Sequence, residues 1–142
     1  MRVMVFVKAT EDSETGVLPP TAAFEAMDRF TEELVGAGIM VAGAGLKPSG
    51  QSKRVAFDGP GCTVIDGPFA ETRELVAGFM IWEVRDMDEA VAWVKRRPNP
   101  ATGPSEIEIR PFYEAADLAA VLPPEPVGAA PRDAMRQKLG VA

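Results

Sequence analysis

The stretch Asp66-Gly67-Pro68-Phe69-Ala70-Glu71-Thr72-Arg73-Glu74 lies between two apolar runs, Cys62 to Ile65 and Leu75 to Trp82. Asp and Gly favour tight turns, and Pro68 fixes its own φ and removes a backbone donor. Phe69 is therefore an aromatic carried on a bend, not on a regular helix or strand face. The polar and charged residues that follow keep the segment out of a core. The reading that decides the fold is a rigid turn at a cleft edge, with strands entering and leaving it.

Working outward, Lys53 to Phe57 and Cys62 to Ile65 read as short strands joined by Asp58-Gly59-Pro60-Gly61, a strong hairpin signal. On the other side, Leu75 to Val84 is a longer strand. It is apolar on both faces until Glu83, as expected of a central strand. Residues 2–8 alternate, with Val3, Val5 and Val7 on one face and Arg2, Met4, Phe6 and Lys8 on the other. Glu106 to Phe112 alternates too, setting Ile107 and Ile109 against Glu106, Glu108 and Arg110. Ile39 to Leu46 reads as a further strand, weakened by Gly43 and Gly45.

Two helices complete the pattern. Residues 10–20 read as a polar loop, and Thr21 reads as the N-cap of a helix with Phe24, Met27, Phe30 or Thr31, and Leu34 on one face, ended by Gly36 and Gly38. Asp86 caps the second, whose inner face carries Met87, Ala90, Val91 and Val94; Pro98-Asn99-Pro100 stops it. A short helix is expected in Glu114 to Val121, and a terminal one in Pro131 to Leu139 beyond Pro123, Pro124 and Pro126. The order, with a hairpin in the middle, predicts an α+β ferredoxin-like βαβ(ββ)βαβ sandwich with both helices on one sheet face. The domain is expected over residues 1–120, with a Pro-rich extension over 121–142.

This geometry leaves Met4, Phe6, Lys8, Glu106, Glu108 and Arg110 on the face away from the helices, and a face carrying Met4, Phe6 and many residues of the long strand is too apolar to leave in water. A second copy of the chain covering it is the simplest solution, and two such sheets would enclose a dimeric α/β barrel.

Composition narrows the function. The 142 residues are 46% hydrophobic and 25% charged, as in ordinary globular domains, with a net charge of -6 and a pI of about 4.7. An acidic chain without a basic cluster is a poor binder of nucleic acid or anionic membranes. No apolar run approaches the about 20 residues of a membrane helix, and the first eight residues alternate like a strand where a signal peptide would not. A cytoplasmic protein is expected. Its single cysteine, Cys62, excludes an internal disulfide and a Cys-rich zinc site. The absence of histidine removes Ser-His-Asp and Cys-His catalysis and histidine metal ligands. No metal or cofactor is assigned, and acid–base chemistry of a lyase or isomerase type would fall to Asp, Glu, Lys, Tyr or a bound cofactor.

Several segments, in order over about residues 1 to 115, resemble the YCII-related family and its DGPF subgroup. They are Val7-Lys8-Ala9-Thr10, Glu32-Glu33-Leu34 with the following Ala37-Gly38, Gly45-Leu46-Lys47-Pro48-Ser49, the Asp66 to Glu74 motif, Ala77-Gly78-Phe79, the helix from Asp88 to Lys95, Arg97-Pro98-Asn99-Pro100 and Glu106 to Pro111. The resemblance implies a ferredoxin-like fold that dimerises through its sheets. A His–Asp pair proposed as acid–base apparatus in the wider family has no counterpart in this histidine-free chain. DGPF proteins are often encoded beside extracytoplasmic-function sigma factors, which implies a regulatory alternative to ligand binding.

Candidate ligand-binding residues are Lys8, Asp66, Phe69, Glu71, Thr72, Arg73, Glu108 and Arg110; no catalytic residue is assigned. Each has a plainer alternative. Asp66 can act as a carboxylate in a site, although bracing the turn through backbone N–H groups is the preferred reading. Phe69 can stack on a ligand or plug the core edge. Glu71, Thr72 and Arg73 can contact a polar ligand or form a solvated face. Lys8, Glu106, Glu108 and Arg110 can be perturbed site groups or a cross-strand ladder. Trp82 and Trp93 read as core or interface residues, and Cys62 as an inert buried thiol.

Overall fold

The computed structural model describes residues 1–121. The terminal helix expected at Pro131 to Leu139, and most of the Pro-rich extension, lie outside the described residues. Strands β1 (Arg2–Lys8), β2 (Met40–Gly45), β3 (Lys53–Asp58), β4 (Gly61–Asp66), β5 (Val76–Glu83) and β6 (Ile107–Pro111) are joined by helices α1 (Glu11–Thr15), α2 (Thr21–Gly36), α3 (Met87–Arg96) and α4 (Ala115–Leu118). Four strands form an antiparallel sheet in the order β2-β5-β1-β6, while β3 and β4 pair with each other in a second, two-stranded sheet. With the β3–β4 hairpin set aside, the chain runs βαββαβ and β5 inserts between β1 and β2. This is the ferredoxin-like α+β arrangement that the sequence predicts.

Alternation decides which face is buried. Val3 and Val5 of β1 and Met80 and Trp82 of β5 turn toward the helices, where Phe30 and Leu34 of α2 and Ala90 of α3 meet them. Val3 sits opposite Trp82 and Val5 opposite Met80 across the ladder, so the core is built of cross-strand pairs. Phe30 packs against both Trp82 and Trp93, with ring centroids 6.4 and 6.2 Å apart. Val7, Ile107, Ile109 and Met27 close the edges of this cluster. Trp82, Leu34, Val3 and Val5 are the largest fully buried side chains; each contributes about 1.5–3 kcal/mol of burial free energy.

The structure departs from the sequence reading in several places. Val91, expected on the inner face of the second helix, is exposed, while Trp93 packs against the core. Residues 11–15, read as loop, form the single turn α1, capped by Thr10 and by a reciprocal Thr10–Ser13 box. A five-residue turn has no apolar period to reveal it. Thr21 is the first residue of α2, not its cap; Pro20 holds that position with extended φ and ψ and no side-chain bond. The buried stripe of α2 begins at Met27, and Phe24, in the first turn, is 48% exposed. Cys62 is exposed, not buried, because among the described residues nothing covers the two-stranded sheet that carries it. The expected ends hold elsewhere. Gly38 takes the left-handed conformation (φ 72°) that closes α2, and the Asp86 side chain accepts from the Glu89 N–H at 2.8 Å.

Candidate functional site

The Asp66 turn is pinned from beneath by a second loop. The Gly67 N–H donates to the Ser52 carbonyl at 2.9 Å. The Phe69 N–H donates to the Ser49 hydroxyl at 3.1 Å. Ser49 donates in turn, through its hydroxyl and its backbone N–H, to the carboxylate of Glu14 on α1. Ser49 is only 6% exposed and is the one buried polar residue of the described chain. A buried hydroxyl must be hydrogen-bonded to be tolerated, and this one is satisfied on both sides. Gly67 lies so close to this loop that a Cβ there would stand 1.8 Å from the Ser49 carbonyl oxygen. Only glycine fits at that position. The Gly67–Pro68 peptide is cis.

Three elements thus meet around one open cleft of about 430 Å³. Its apolar wall is Leu46, Phe69, Leu75 and Val76; its polar wall is Glu14, Lys47, Ser49, Gln51, Ser52 and Arg54. The volume is in the range that accepts a small molecule. Phe69 is half-buried, and the Arg54 guanidinium lies 3.8 Å above its ring centroid. That distance is a close cation–π contact. Arg54 stands opposite Ile65 in the hairpin, on the face away from Lys53 and Asp66.

Asp66 sits apart from the cleft. Its carboxylate pairs with Lys53, its cross-strand partner, and both side chains are largely exposed. The expected bracing of backbone N–H groups by Asp66 is not what holds the turn; Ser49 and Ser52 do that. Glu71 and Arg73 are exposed and Thr72 is half-buried on a short 3₁₀ turn, Thr72–Glu74.

The remaining candidates gather on the open sheet face. Lys8 Nζ pairs with Glu108 at 3.2 Å, and Arg110 Nε stands 3.7 Å from the same carboxylate. Phe6 pairs with Glu108 and Met4 with Arg110 across the ladder, so these charges flank an apolar strip of Met4, Phe6, Phe79 and Ile81. Ala42 and Ala44 extend the strip on β2. Lys8 Nζ also reaches the Glu74 carbonyl at 3.5 Å, and the Ala9 N–H donates to the Leu75 carbonyl at 2.9 Å. The ladder and the cleft are therefore neighbours, joined through residues 74–76. Among the described residues no group of His, Cys, Asp or Glu is placed to hold a metal ion.

Sequence reasoning missed Glu14, Ser49 and Arg54. Ser49 was within reach: a serine in Lys47-Pro48-Ser49-Gly50, in a stretch that resembles the family, is more than turn polarity. Glu14 and Arg54 carry no local signal, since only the packing of α1 and the hairpin on the turn brings them there.

The fold and the clamped turn first define an α+β sandwich of ferredoxin-like topology with a side cleft. Comparison with known proteins then names the family. The YCII-related domain matches residues 1–113, and the chain belongs to that family. A relative from Rhizobium meliloti (strain 1021), an uncharacterized protein, is 37% identical over 57 residues, 39% of this chain and 46% of that protein. The match thus spans less than half of the relative's length. No helix among the described residues is long and apolar enough to cross a membrane.

Proposed function

We propose that the protein is a homodimer of the DGPF type that binds a small polar or aromatic molecule in the cleft between the Asp66 turn and the sheet. The observation that carries this reading is the clamp. Phe69 is held at the cleft wall by a Glu14–Ser49–Phe69 chain of hydrogen bonds centred on the buried Ser49, and surface turns do not need such support unless their geometry matters. The dimer is supported by the open sheet face, where Met4, Phe6, Phe79 and Ile81 are only half-covered in one protomer. A second copy laid on it would bring the Lys8–Glu108–Arg110 ladder into a shared interior. The site binds; the carboxylate in the cleft is committed to Ser49, so no proton transfer is assigned to it.

A thermal-shift screen of small aromatic and polar compounds on the wild type and on Phe69→Ala tests this. Compounds that stabilise the wild type should lose their effect on the variant. Stabilisation that is indifferent to Phe69 would refute the cleft as the site.

A second reading has its own observation. One face of the β3–β4 hairpin carries Val55, Phe57, Cys62 and Val64, and Phe57 is 81% exposed. Such a projecting apolar face suits a protein contact, in line with a regulatory role in an extracytoplasmic-function sigma factor pathway. Loss of a partner on Phe57→Ser, with cleft binding intact, would favour it.

A further inference from the structure

We propose that the cleft selects a carboxylate carried on a small flat apolar body, with Arg54 as the anion-binding residue and Lys47 as its support; this rests on the cleft reading above. Three observations lead there. First, Arg54 has the Phe69 ring as its contact and, among the described residues, pairs with no carboxylate, whereas Lys53, the residue before it, is paired with Asp66 on the opposite face of the hairpin. Stacking fixes the plane of a guanidinium while leaving its N–H edge free, and that edge matches a carboxylate in a bidentate fork.

Second, the cleft has an excess of positive charge in an acidic chain. Arg54 and Lys47 face a single carboxylate, Glu14, and Glu14 already accepts from the Ser49 N–H and hydroxyl. A cationic concavity on a molecule of net charge -6 focuses field and draws anions to that point. Third, Leu46, Leu75 and Val76 line the same cleft. An anion with nothing apolar attached would leave that wall unused, whereas an aryl or short alkyl body fills it while its carboxylate reaches Arg54.

An NMR titration of the ¹⁵N-labelled full chain with sodium benzoate and with benzamide tests the proposal, because the two differ only in charge and donor pattern. Benzoate should move the Ser49, Phe69 and Leu75 amide signals, and benzamide should require at least about tenfold more ligand, as expected for loss of one charge-assisted bond. Arg54→Gln should weaken benzoate by about tenfold and leave benzamide unchanged. Lys47→Gln should weaken it less, and added salt should weaken benzoate alone. Equal responses to both compounds at these amides would overturn the anion selection while leaving the cleft reading standing. Benzoate shifts confined to other surfaces, or none at all, would overturn both. The benzoate–benzamide comparison uses the unaltered chain, so it decides the matter even if a variant fails to fold.

Discussion

Replacing Gly67 by Ala would add a Cβ at 1.8 Å from the Ser49 carbonyl oxygen, 2.7 Å from the Ser49 carbonyl carbon and 3.2 Å from the Ser52 carbonyl oxygen. All three are backbone atoms, so no side chain can rotate out of the way. Reaching van der Waals distance requires the two loops to separate by more than 1 Å. That separation stretches the Gly67–Ser52 bond of 2.9 Å and the Phe69–Ser49 bond of 3.1 Å past useful geometry. Overpacking of this kind costs about 1–3 kcal/mol, and the two bonds add about 0.5–1.5 kcal/mol each. Gly67→Ala should therefore lose about 2–6 kcal/mol in urea denaturation. Gly50→Ala in the facing loop is the control, since a Cβ there meets nothing within 4 Å, and it should stay within about 0.5 kcal/mol of wild type. Equal stability of the two variants would refute the close-packed turn, and with it the argument that Phe69 is held in place.

Ser49→Ala removes the hydroxyl that accepts from the Phe69 N–H and donates to Glu14, while the backbone N–H of residue 49 still reaches that carboxylate; a loss of about 1–3 kcal/mol and faster amide exchange at Phe69 are expected. Arg97, after α3, is half-buried; its Nε is buried with no hydrogen-bond partner among the described residues, and burial lowers its pKa. Arg97→Met should be neutral or stabilising in thermal melts, since an apolar chain of similar volume removes a partly desolvated charge that donates to the Pro98 carbonyl at 3.1 Å. Ile81→Asp, on the open sheet face, should convert the proposed dimer to a monomer in analytical ultracentrifugation with unchanged circular dichroism. Glu108→Gln should cost a dissociated monomer no more than about 1 kcal/mol, because its partners are partly solvated, and should cost the dimer more.

Much of the fold was legible because it rests on alternation. Val3, Val5 and Val7 against Met4, Phe6 and Lys8 define both faces of β1, and the two-sided apolar run of β5 announces a central strand. The Asp66 motif announced a turn at a cleft edge, and Phe69 lines a cleft there, but what pins the turn is not displayed in the motif. Its support comes from Glu14 and Ser49, 52 and 17 positions upstream of Asp66 by their numbers, through tertiary contacts with no local period. Thr21 and Cys62 misled for the opposite reason. Each has an intrinsic preference, for capping and for burial, that context overrode: Pro20 already set the helix entry, and the hairpin carrying Cys62 stands clear of the core. The eight candidate residues divide accordingly. Lys8, Glu108 and Arg110 come together, Phe69 enters the cleft, Asp66 is occupied by Lys53, and Glu71, Thr72 and Arg73 lie outside the cleft lining.

Native mass spectrometry of the full chain, purified from the organism that makes it and compared before and after denaturation, tests the central claim most directly. The account predicts a dimer that releases a stoichiometric small molecule. A monomer, or a dimer whose mass is that of two bare chains, would contradict it.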